Sequence, residues 1–190
     1  MPTWNLPGTS VTRTYDTAKF GGSGNDPLTG LPDKQNLIEG RDGNDTLTGG
    51  GRDDVLIGVG TGNAYGGNDV DTLSGGFGGD WFVVGDANGN YYNDVNGYAI
   101  ITDWAAPPDT VVIDGTRSRS DGGIGLSSEV VPGVGTGIAD LVVFTSGGRQ
   151  AVLQDDGSLL NEFRSDVNSW VSTGSNLDAS GRNNGYFWLV

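Results

Sequence analysis

Aspartates recur at a regular spacing between Gly21 and Val83, and each one follows a glycine-rich stretch. Five nine-residue segments share this arrangement: GGSGNDPLT from Gly21, GRDGNDTLT from Gly40, GGGRDDVLI from Gly49, GGNDVDTLS from Gly66 and GGFGGDWFV from Gly75. They fit a G-G-x-G-x-D-x-U-x pattern, in which U is a large apolar residue. Carboxylate and carbonyl oxygens are the ligands that calcium prefers, so the repeat indicates a site for this cation.

Two weaker copies lie between these segments. Residues 30–39 form a unit that is one residue too long, with Asn36 at the aspartate position, and residues 58–65 form one that is too short, with Asn63 there. The sequence therefore predicts seven units. A flexible acidic linker is the alternative, but a linker does not keep an apolar residue two places after each Asp or Asn.

Each position of the repeat predicts a local conformation. The glycines permit positive φ and close approach of neighbouring loops, and the last three residues suit a short strand with one buried side chain. A strand of this length cannot bury an apolar face alone, so we expect an all-β fold in which residues 21–86 form a parallel β-roll of about seven turns. The predicted interior residues are Leu28, Ile38, Leu47, Leu56, Tyr65, Leu73 and Phe82.

Loops that lie two units apart are expected to stack and to share calcium ions. One rim would carry Asp26, Asp45, Asn63 and Asp80, and the other Asn36, Asp54 and Asp71. We expect about two to four ions, or more, with the strongest sites between Asp26 and Asp45 and between Asp54 and Asp71. Neighbouring loop positions complete the predicted ligand set: Gly22, Gly24, Gly43, Gly50, Arg52, Gly67, Asp69, Gly76 and Gly78.

These repeats resemble the RTX, or hemolysin-type, calcium-binding repeat of secreted bacterial proteins, over about a third of the chain. The resemblance implies a β-roll that folds when it binds calcium outside the cell. DWFVVGD, ITDW and DTVVIDG are similar to the stretch that follows the repeats in such proteins, especially cyanobacterial ones. The chain departs from the pattern at Arg41, Arg52, Thr61 and Asp69 and in the two units of altered length.

Composition agrees with this interpretation. The 190 residues include 24 acidic and 10 basic ones, for a formal net charge of −14, which favours divalent cations and makes nucleic acid a poor partner. The chain has no cysteine and no histidine, so disulfides, thiolate metal sites and histidine-based catalysis are excluded. We therefore expect a protein without catalytic residues.

Residues 87–190 predict a β-rich cap, with β-type runs at Tyr98 to Trp104, Thr110 to Ile113, Asp140 to Thr145 and Arg149 to Gln154. Gly147-Gly148 indicates a hairpin turn, and residues 1–20 are expected to cap the first turn of the roll. An aromatic set could close the end of the roll or, alternatively, stack on sugars: Trp81, Phe82, Tyr91, Tyr92, Trp104, Trp170, Phe187 and Trp188.

One loop after the repeats offers oxygen side chains at alternate positions, as at the start of an EF-hand loop. These are Asp86, Asn88 and Asn90, although Tyr91 and Gly97 occupy the places of the usual glycine and glutamate. A further metal site and a turn that hydrogen-bonds its own backbone are both compatible with this loop.

The chain contains no apolar run long enough to span a membrane, and its first 20 residues lack the pattern of a signal peptide. The resemblance implies export by type I secretion machinery, which reads an uncleaved carboxyl-terminal signal. The end of the chain, NNGYFWLV, is similar to such signals and is also compatible with a last β-strand. We expect an extracellular or cell-surface location.

The leading hypothesis is a secreted, non-catalytic calcium-binding protein with a structural, surface or self-assembly role, as an oligomer, sheet or filament. The alternative is the calcium-binding and secretion module of an extracellular protease, lipase or alginate epimerase, although Met1 and a cap-like first segment weigh against a cut fragment. A hydrolase with a carboxylate pair is a third hypothesis. A fourth is adhesion to ice or carbohydrate through Thr29, Thr46 and Thr48, but Ala64 is expected in the next turn.

Overall fold

The computed structural model describes residues 1–6, 11–60, 68–86, 89–92, 94, 96–105, 109–114, 125–145, 148–155, 171–177 and 183–189. These residues form eighteen β-strands and no helix, which confirms the all-β prediction. The first nine strands are β1 (Thr3–Asn5), β2 (Thr12–Thr14), β3 (Thr17–Phe20), β4 (Pro27–Thr29), β5 (Asn36–Glu39), β6 (Thr46–Gly50), β7 (Val55–Ile57), β8 (Val70–Gly76) and β9 (Trp81–Val83). The rest are β10 (Gly85–Asp86), β11 (Gly89–Asn90), β12 (Tyr98–Ile101), β13 (Thr110–Asp114), β14 (Gly125–Glu129), β15 (Asp140–Thr145), β16 (Gly148–Leu153), β17 (Val171–Leu177) and β18 (Asn183–Leu189).

Two seven-stranded sheets contain most of these strands. Their orders are β4-β6-β8-β12-β16-β15-β14 and β3-β5-β7-β9-β13-β18-β17. From β3 to β9 successive strands alternate between the two sheets, and every neighbouring pair within a sheet is parallel over this region. The prediction of short parallel sheets is confirmed for this part of the chain.

Side chains from both sheets pack into one apolar cluster. The central residue of each repeat strand contributes to this cluster. In β4 and β6 its neighbours are exposed, whereas in β5, β7 and β9 the neighbouring side chains are buried as well. Ile38, Leu47, Leu56, Leu73 and Phe82 are fully buried, and Leu28 is half-buried against the same cluster. The prediction of an apolar interior is confirmed for these six residues, while Tyr65 lies outside the described residues.

The strand pairing corrects the predicted number of turns. β6 pairs directly with β8, with Leu47 opposite Leu73, and β7 pairs directly with β9, with Leu56 opposite Phe82. Direct pairing leaves no place for a strand between β6 and β8 or between β7 and β9, so the prediction of a separate turn there is wrong. A unit of eight residues is too short for a six-residue loop and a three-residue strand, and no described strand lies between β7 and β8. Asn63 and Gly67, between these two strands, lie outside the described residues.

Parallel stacking continues beyond residue 86, where the predicted repeat segment ends. β12 pairs with β8 and β13 with β9, both parallel, and β16 adds a further parallel strand beside β12. The predicted hairpin between β15 and β16 is confirmed, with Thr145 opposite Gly148. β18 lies antiparallel between β13 and β17, so the interpretation of residues 183–189 as a strand is also confirmed.

The amino-terminal segment divides into a hairpin and a sheet strand. β1 and β2 are antiparallel, with Trp4 opposite Arg13, and Leu6 is buried in the main cluster. β3 pairs with β5 and is therefore the edge strand of one sheet. In the described part of the chain, no helix has the length and apolar character to cross a membrane.

Candidate metal centre

One column of acidic side chains follows the stacking of β4, β6 and β8. Asp26 and Asp45 directly precede β4 and β6, Asp71 is the second residue of β8, and the parallel register brings these three residues level with one another. The backbone N–H of Asp26 donates to Oδ1 of Asp45 at 2.8 Å, and the N–H of Asp45 donates to Oδ1 of Asp71 at 2.8 Å. We call Asp26, Asp45 and Asp71 the first column.

A second column follows β5, β7, β9 and β13 in the other sheet. The N–H of Asn36 donates to Oδ1 of Asp54 at 2.6 Å, the N–H of Asp54 to Oδ1 of Asp80 at 2.8 Å, and the N–H of Asp80 to Oδ1 of Asp109 at 3.0 Å. Each aspartate of this series therefore satisfies a backbone donor of the neighbouring turn. Asn36, Asp54, Asp80 and Asp109 form the second column.

The neighbours within these columns differ from the carboxylate pairs that the sequence predicted. The expected pair of Asp26 and Asp45 is adjacent, but the expected pair of Asp54 and Asp71 is wrong because Asp71 follows Asp45 in the first column. Asp80 follows Asp54 in the second column rather than joining the rim of Asp26. The error comes from counting residues 58–65 as a turn, which inverts the side assigned to every later unit.

The second oxygen of several column carboxylates has no hydrogen-bond partner. Oδ2 of Asp45, Asp54 and Asp80 is buried and unpartnered among the described residues, and all three side chains are at most 1% exposed. By contrast, Oδ2 of Asp71 accepts the Tyr92 hydroxyl at 2.6 Å, and Oδ2 of Asp26 accepts the Gly22 N–H at 2.6 Å. Burying an unpaired anionic oxygen costs several kcal/mol or more of folding free energy. Each of these three oxygens therefore requires a cation or a proton as a partner.

Burial shifts the acid–base behaviour of both columns. It raises the pKa of Asp71 and of Asp80 to about 7, and backbone hydrogen bonds oppose the shift only in part. Burial also raises the pKa of Asp45, Asp54 and Asp109. Neighbouring carboxylates add to the shift, because like charges disfavour ionisation. A bound cation would lower these pKa values by neutralising the charge.

The first glycine of a repeat lies beneath the unpartnered carboxylate oxygen of its own unit. A Cβ at Gly40 would lie 2.1 Å from Oδ2 of Asp45 and 2.4 Å from the carbonyl oxygen of Gly58. A Cβ at Gly49 would lie 2.4 Å from Oδ2 of Asp54 and 2.3 Å from the carbonyl oxygen of Gly75. Glycine is required here by this close approach. A carboxylate oxygen and a carbonyl oxygen of the next stacked loop thus lie close to the same glycine. Calcium uses both kinds of oxygen as ligands.

The predicted loop positions stack on their equivalents in neighbouring units. Gly43 approaches the carbonyl of Gly24, Gly76 that of Gly50, and Gly78 that of Arg52, and the first residue of each pair has a positive φ. Gly22, Gly24 and Arg52 are exposed, and Asp69 is half-buried. No three carboxylates converge within the described ranges. Backbone carbonyls of these loops would therefore supply most of the remaining ligands of an ion.

The predicted EF-hand-like start at residues 86–90 folds differently. Asp86 and Asn90 belong to an antiparallel hairpin in which Asp86 lies opposite Gly89, and both side chains are buried. Oδ2 of Asp86 accepts the Tyr91 hydroxyl at 3.0 Å. Strand pairing therefore replaces the open loop that an EF-hand requires. Asn88 lies outside the described residues.

Sequence reasoning missed two members of the candidate site. Asp109 extends the second column, and its D-T-V-V segment repeats the D-x-U spacing of Asp71-Thr72-Leu73, which is the signal that could have identified it. Tyr92 is fully buried and caps Asp71, but no spacing connects it to the repeat. The expected aromatic closure is supported for Trp81, Phe82, Tyr91, Tyr92 and Trp104, which are all buried, whereas Trp170 and the side chains of Phe187 and Trp188 lie outside the described residues.

No protein-family model matches this chain, and no curated protein sequence matches it.

Proposed function

We propose that the parallel part of this structure is a β-roll that binds calcium at its two rims and depends on the ion for stability. The observation that carries the proposal is the unpartnered, buried Oδ2 of Asp45, Asp54 and Asp80. For Asp45 and for Asp54, this oxygen and a carbonyl oxygen of the next loop both lie close to the same glycine. The residues present therefore fit a cation that is held by carboxylate and carbonyl oxygens.

The donor set favours calcium over other cations. The chain offers no imidazole or thiolate, which are the ligands that zinc, copper and nickel prefer. Magnesium requires near-ideal octahedral geometry and usually keeps several waters, whereas calcium accepts the larger and less regular set of oxygens that stacked loops provide. Calcium bound here would neutralise buried charge and link neighbouring turns.

We further propose a non-catalytic role outside the cell or at its surface, as a structural or self-assembling protein. The net charge of −14 makes a metal-free chain repel itself, so the higher calcium concentration outside cells would favour the folded state there. Asp45, Asp54, Asp71 and Asp80 are all buried in the columns, so no exposed pair of them is available for hydrolysis. A role as the calcium-binding module of a larger extracellular enzyme would use the same rims.

Calcium titration of chelator-treated protein tests the proposal. We would follow far-ultraviolet circular dichroism, thermal unfolding and light scattering together, with magnesium as the control cation. We expect calcium to increase β-structure and Tm, and magnesium to leave both nearly unchanged. A growth in scattering would favour self-assembly over a monomeric module. Equal stability with and without calcium would reject the metal-binding proposal.

A second candidate function arises from the register of one sheet. Thr29 lies opposite Thr48 and Thr48 opposite Ser74, while Thr46 lies opposite Thr72. The rows of hydroxyl groups therefore continue into β8, whereas the sequence analysis expected Ala64 in the next turn. Strand spacing of about 4.8 Å makes this a regular hydroxyl array, which suits adhesion to ice.

An ice-recrystallisation assay in the presence of calcium tests this candidate. Thr48→Lys would interrupt the row that Thr48 forms with Thr29 and Ser74. Thr14→Lys, on the amino-terminal hairpin, is the matched control. We expect inhibition of recrystallisation that the first substitution removes and the second preserves. The absence of any inhibition by the folded wild-type protein would reject ice adhesion.

A further inference from the structure

Arg13 extends from the amino-terminal hairpin to the rim of the second column. Its Nη1 lies 3.6 Å from Oδ2 of Asp53, and its Nη2 donates to the carbonyl oxygen of Gly79 at 3.4 Å. Asp53 belongs to the loop of residues 51–54, after β6, and Gly79 to the stacked loop of residues 77–80, after β8. One guanidinium therefore bridges a carboxylate and a carbonyl of two neighbouring loops.

The surroundings of this guanidinium are those of a partly buried cation. Its Cζ lies 4.3 Å from the centroid of the Trp81 ring, and its Nε is buried without a hydrogen-bond partner among the described residues. Burial lowers the pKa of Arg13, while the charges of Asp53 and Asp80 oppose that shift. Cation–π contact and the acidic column together offset the cost of desolvating the charge.

Carboxylate and carbonyl oxygens of stacked loops are also the ligands that the proposed function assigns to calcium. We propose that Arg13 is a built-in cation that competes with calcium for the gap between Asp53, in the loop after β6, and Gly79, in the loop after β8. We call this space the Arg13 gap. It is separate from the position beside Gly49, where Oδ2 of Asp54 and the carbonyl oxygen of Gly75 would hold an ion. While the guanidinium occupies the Arg13 gap, the second column holds one ion fewer than its loops could accept. This inference rests on the proposed function of the rims.

Two features indicate that the position is open to exchange. Both polar contacts of Arg13 are longer than the 2.7–2.9 Å of a strong charge-assisted hydrogen bond, so the loops hold the guanidinium less tightly than a well-matched ion pair would. Asp53 also lines an open cavity of about 500 Å³ together with Pro32, Gly51 and Gly78. A hydrated ion could enter the Arg13 gap from this cavity.

Two other arginines contact both an aromatic ring and a carboxylate. Arg41 lies 3.4 Å from Glu39 and 5.2 Å from the centroid of the Phe20 ring. Its Nη1 also donates to the carbonyl oxygen of Gly21 in the preceding stacked loop at 3.1 Å, so Arg41 bridges loops as Arg13 does and is not a control. Arg149 lies 3.5 Å from Glu129 and 5.8 Å from the centroid of the Tyr98 ring. Arg149 thus combines the same two kinds of contact outside the rims, which makes it a matched control.

The test compares wild type, Arg13→Gln and Arg149→Gln. Equilibrium dialysis would count the calcium ions bound by each, and Tb³⁺, a luminescent hard cation with oxygen ligands, would report proximity to tryptophan. We expect Arg13→Gln to bind one ion more than wild type and to give stronger tryptophan-sensitised Tb³⁺ emission, because the new site adjoins Trp81. Arg149→Gln should match wild type in both measurements. Adding Trp81→Phe to Arg13→Gln should remove the gain in emission.

The outcomes separate this inference from the function on which it rests. Wild-type protein that binds calcium, together with Arg13→Gln that binds the same number of ions and gives the same emission, would overturn only the role of Arg13. Folded wild-type protein that binds no calcium would overturn the function of the rims. If Arg13→Gln does not fold, Arg13→Lys replaces it as the test, because lysine keeps the positive charge and the aliphatic chain but lacks the planar guanidinium that contacts both loops. We then expect Arg13→Lys to bind the additional ion at high calcium concentration. Binding of the wild-type number of ions at every calcium concentration would count against the inference.

Discussion

The backbone N–H of Asp54 donates a 2.8 Å hydrogen bond to Oδ1 of Asp80, which lies 26 residues later in the chain, while Oδ2 of both carboxylates is buried and unpartnered among the described residues. One oxygen of each aspartate therefore connects two turns, and the other requires a positive partner. Asn36 occupies the same column and donates from its amide to Oδ1 of Asp54 at 2.9 Å. An amide can thus perform the structural part of this role without the charge.

Asp54→Asn and Asp80→Asn should separate the structural role from metal binding. Each substitution keeps the Oδ1 acceptor and removes a buried charge, so the chelated protein should be as stable as wild type or more stable. In calcium, each variant should lose about half or more of the calcium-induced rise in Tm, because calcium affinity depends on ligand charge. Thermal unfolding with and without chelator measures both effects. Asp42→Asn, at an exposed loop position, is the control. Equal calcium responses in all three variants would contradict the prediction.

The stability of the metal-free protein should fall as pH rises through about 7. Burial raises the pKa of Asp71 and Asp80 to about 7 from an ordinary value of 3.8, so the folded state binds more protons than the unfolded state between these limits. The stabilisation is complete below the unfolded pKa and is lost as pH passes the folded one. We therefore expect Tm in chelator to fall between about pH 4 and about pH 7 and to level off above this range.

Calcium should reverse this trend, because ionised carboxylates bind the ion and protons compete with it. The calcium-induced rise in Tm should grow over the same pH range. The double variant Asp71→Asn with Asp80→Asn should flatten the slope in chelator. A slope in that variant equal to the wild-type slope would show that other groups control the pH dependence.

Gly40→Ala should destabilise the protein strongly, with or without calcium. The new Cβ would lie 2.1 Å from Oδ2 of Asp45 and 2.4 Å from the carbonyl oxygen of Gly58, and the second contact involves backbone that cannot rotate away. We expect a loss on the order of 3 kcal/mol in the free energy of unfolding. Gly24→Ala is the matched control, since nothing lies within 4 Å of its Cβ position, and it should change stability by about 0.5 kcal/mol at most. Urea unfolding compares them, and similar losses would refute the steric explanation.

Tyr92→Phe should leave a buried carboxylate oxygen without its donor. The Tyr92 hydroxyl donates to Oδ2 of Asp71 at 2.6 Å, and this hydrogen bond lowers the pKa of Asp71 against the larger effect of burial. We expect a loss of about 1–3 kcal/mol in chelator at pH above 7, and a smaller loss at lower pH where Asp71 is protonated. Chemical denaturation at two pH values measures this difference. Tyr15→Phe, at a half-buried position, is the control, and a pH-independent loss would argue against the contact with Asp71.

Lys19→Ala should increase self-association. β3 and β4 are the edge strands at one end of the two sheets, and the Lys19 ammonium donates to the carbonyl oxygen of Thr29 at the end of β4. A lysine on an edge strand hinders pairing with another chain, both by its charge and by occupying a backbone acceptor. Light scattering against concentration in calcium should show larger particles for this variant than for wild type. Lys34→Ala, at an exposed loop position, is the control, and unchanged scattering in both would mean that this edge does not control assembly.

Local patterns were sufficient to predict the β-strands of the repeats, their buried face and every column residue except Asp109. Side chains alternate between the two faces of a strand, so the apolar residue two places after each Asp or Asn marks one buried face. Ile38, Leu47, Leu56, Leu73 and Phe82 were therefore predictable from the period alone. β12, β13, β15 and β16 were also predictable, because their β-type runs and hairpin signal are local features, whereas β14 and β17 were not predicted.

The tertiary structure decided which turns are neighbours. Whether residues 58–69 make one turn or two depends on the pairing of β6 with β8, and that choice places Asp71 beside Asp45 and Asp80 beside Asp54. Arg13 and Tyr92 reach their partners from outside the repeats, over 66 and 21 residues respectively, so no sequence period could reveal them. Spacing along the chain determines which residues can face a rim, whereas parallel stacking determines which of them meet there.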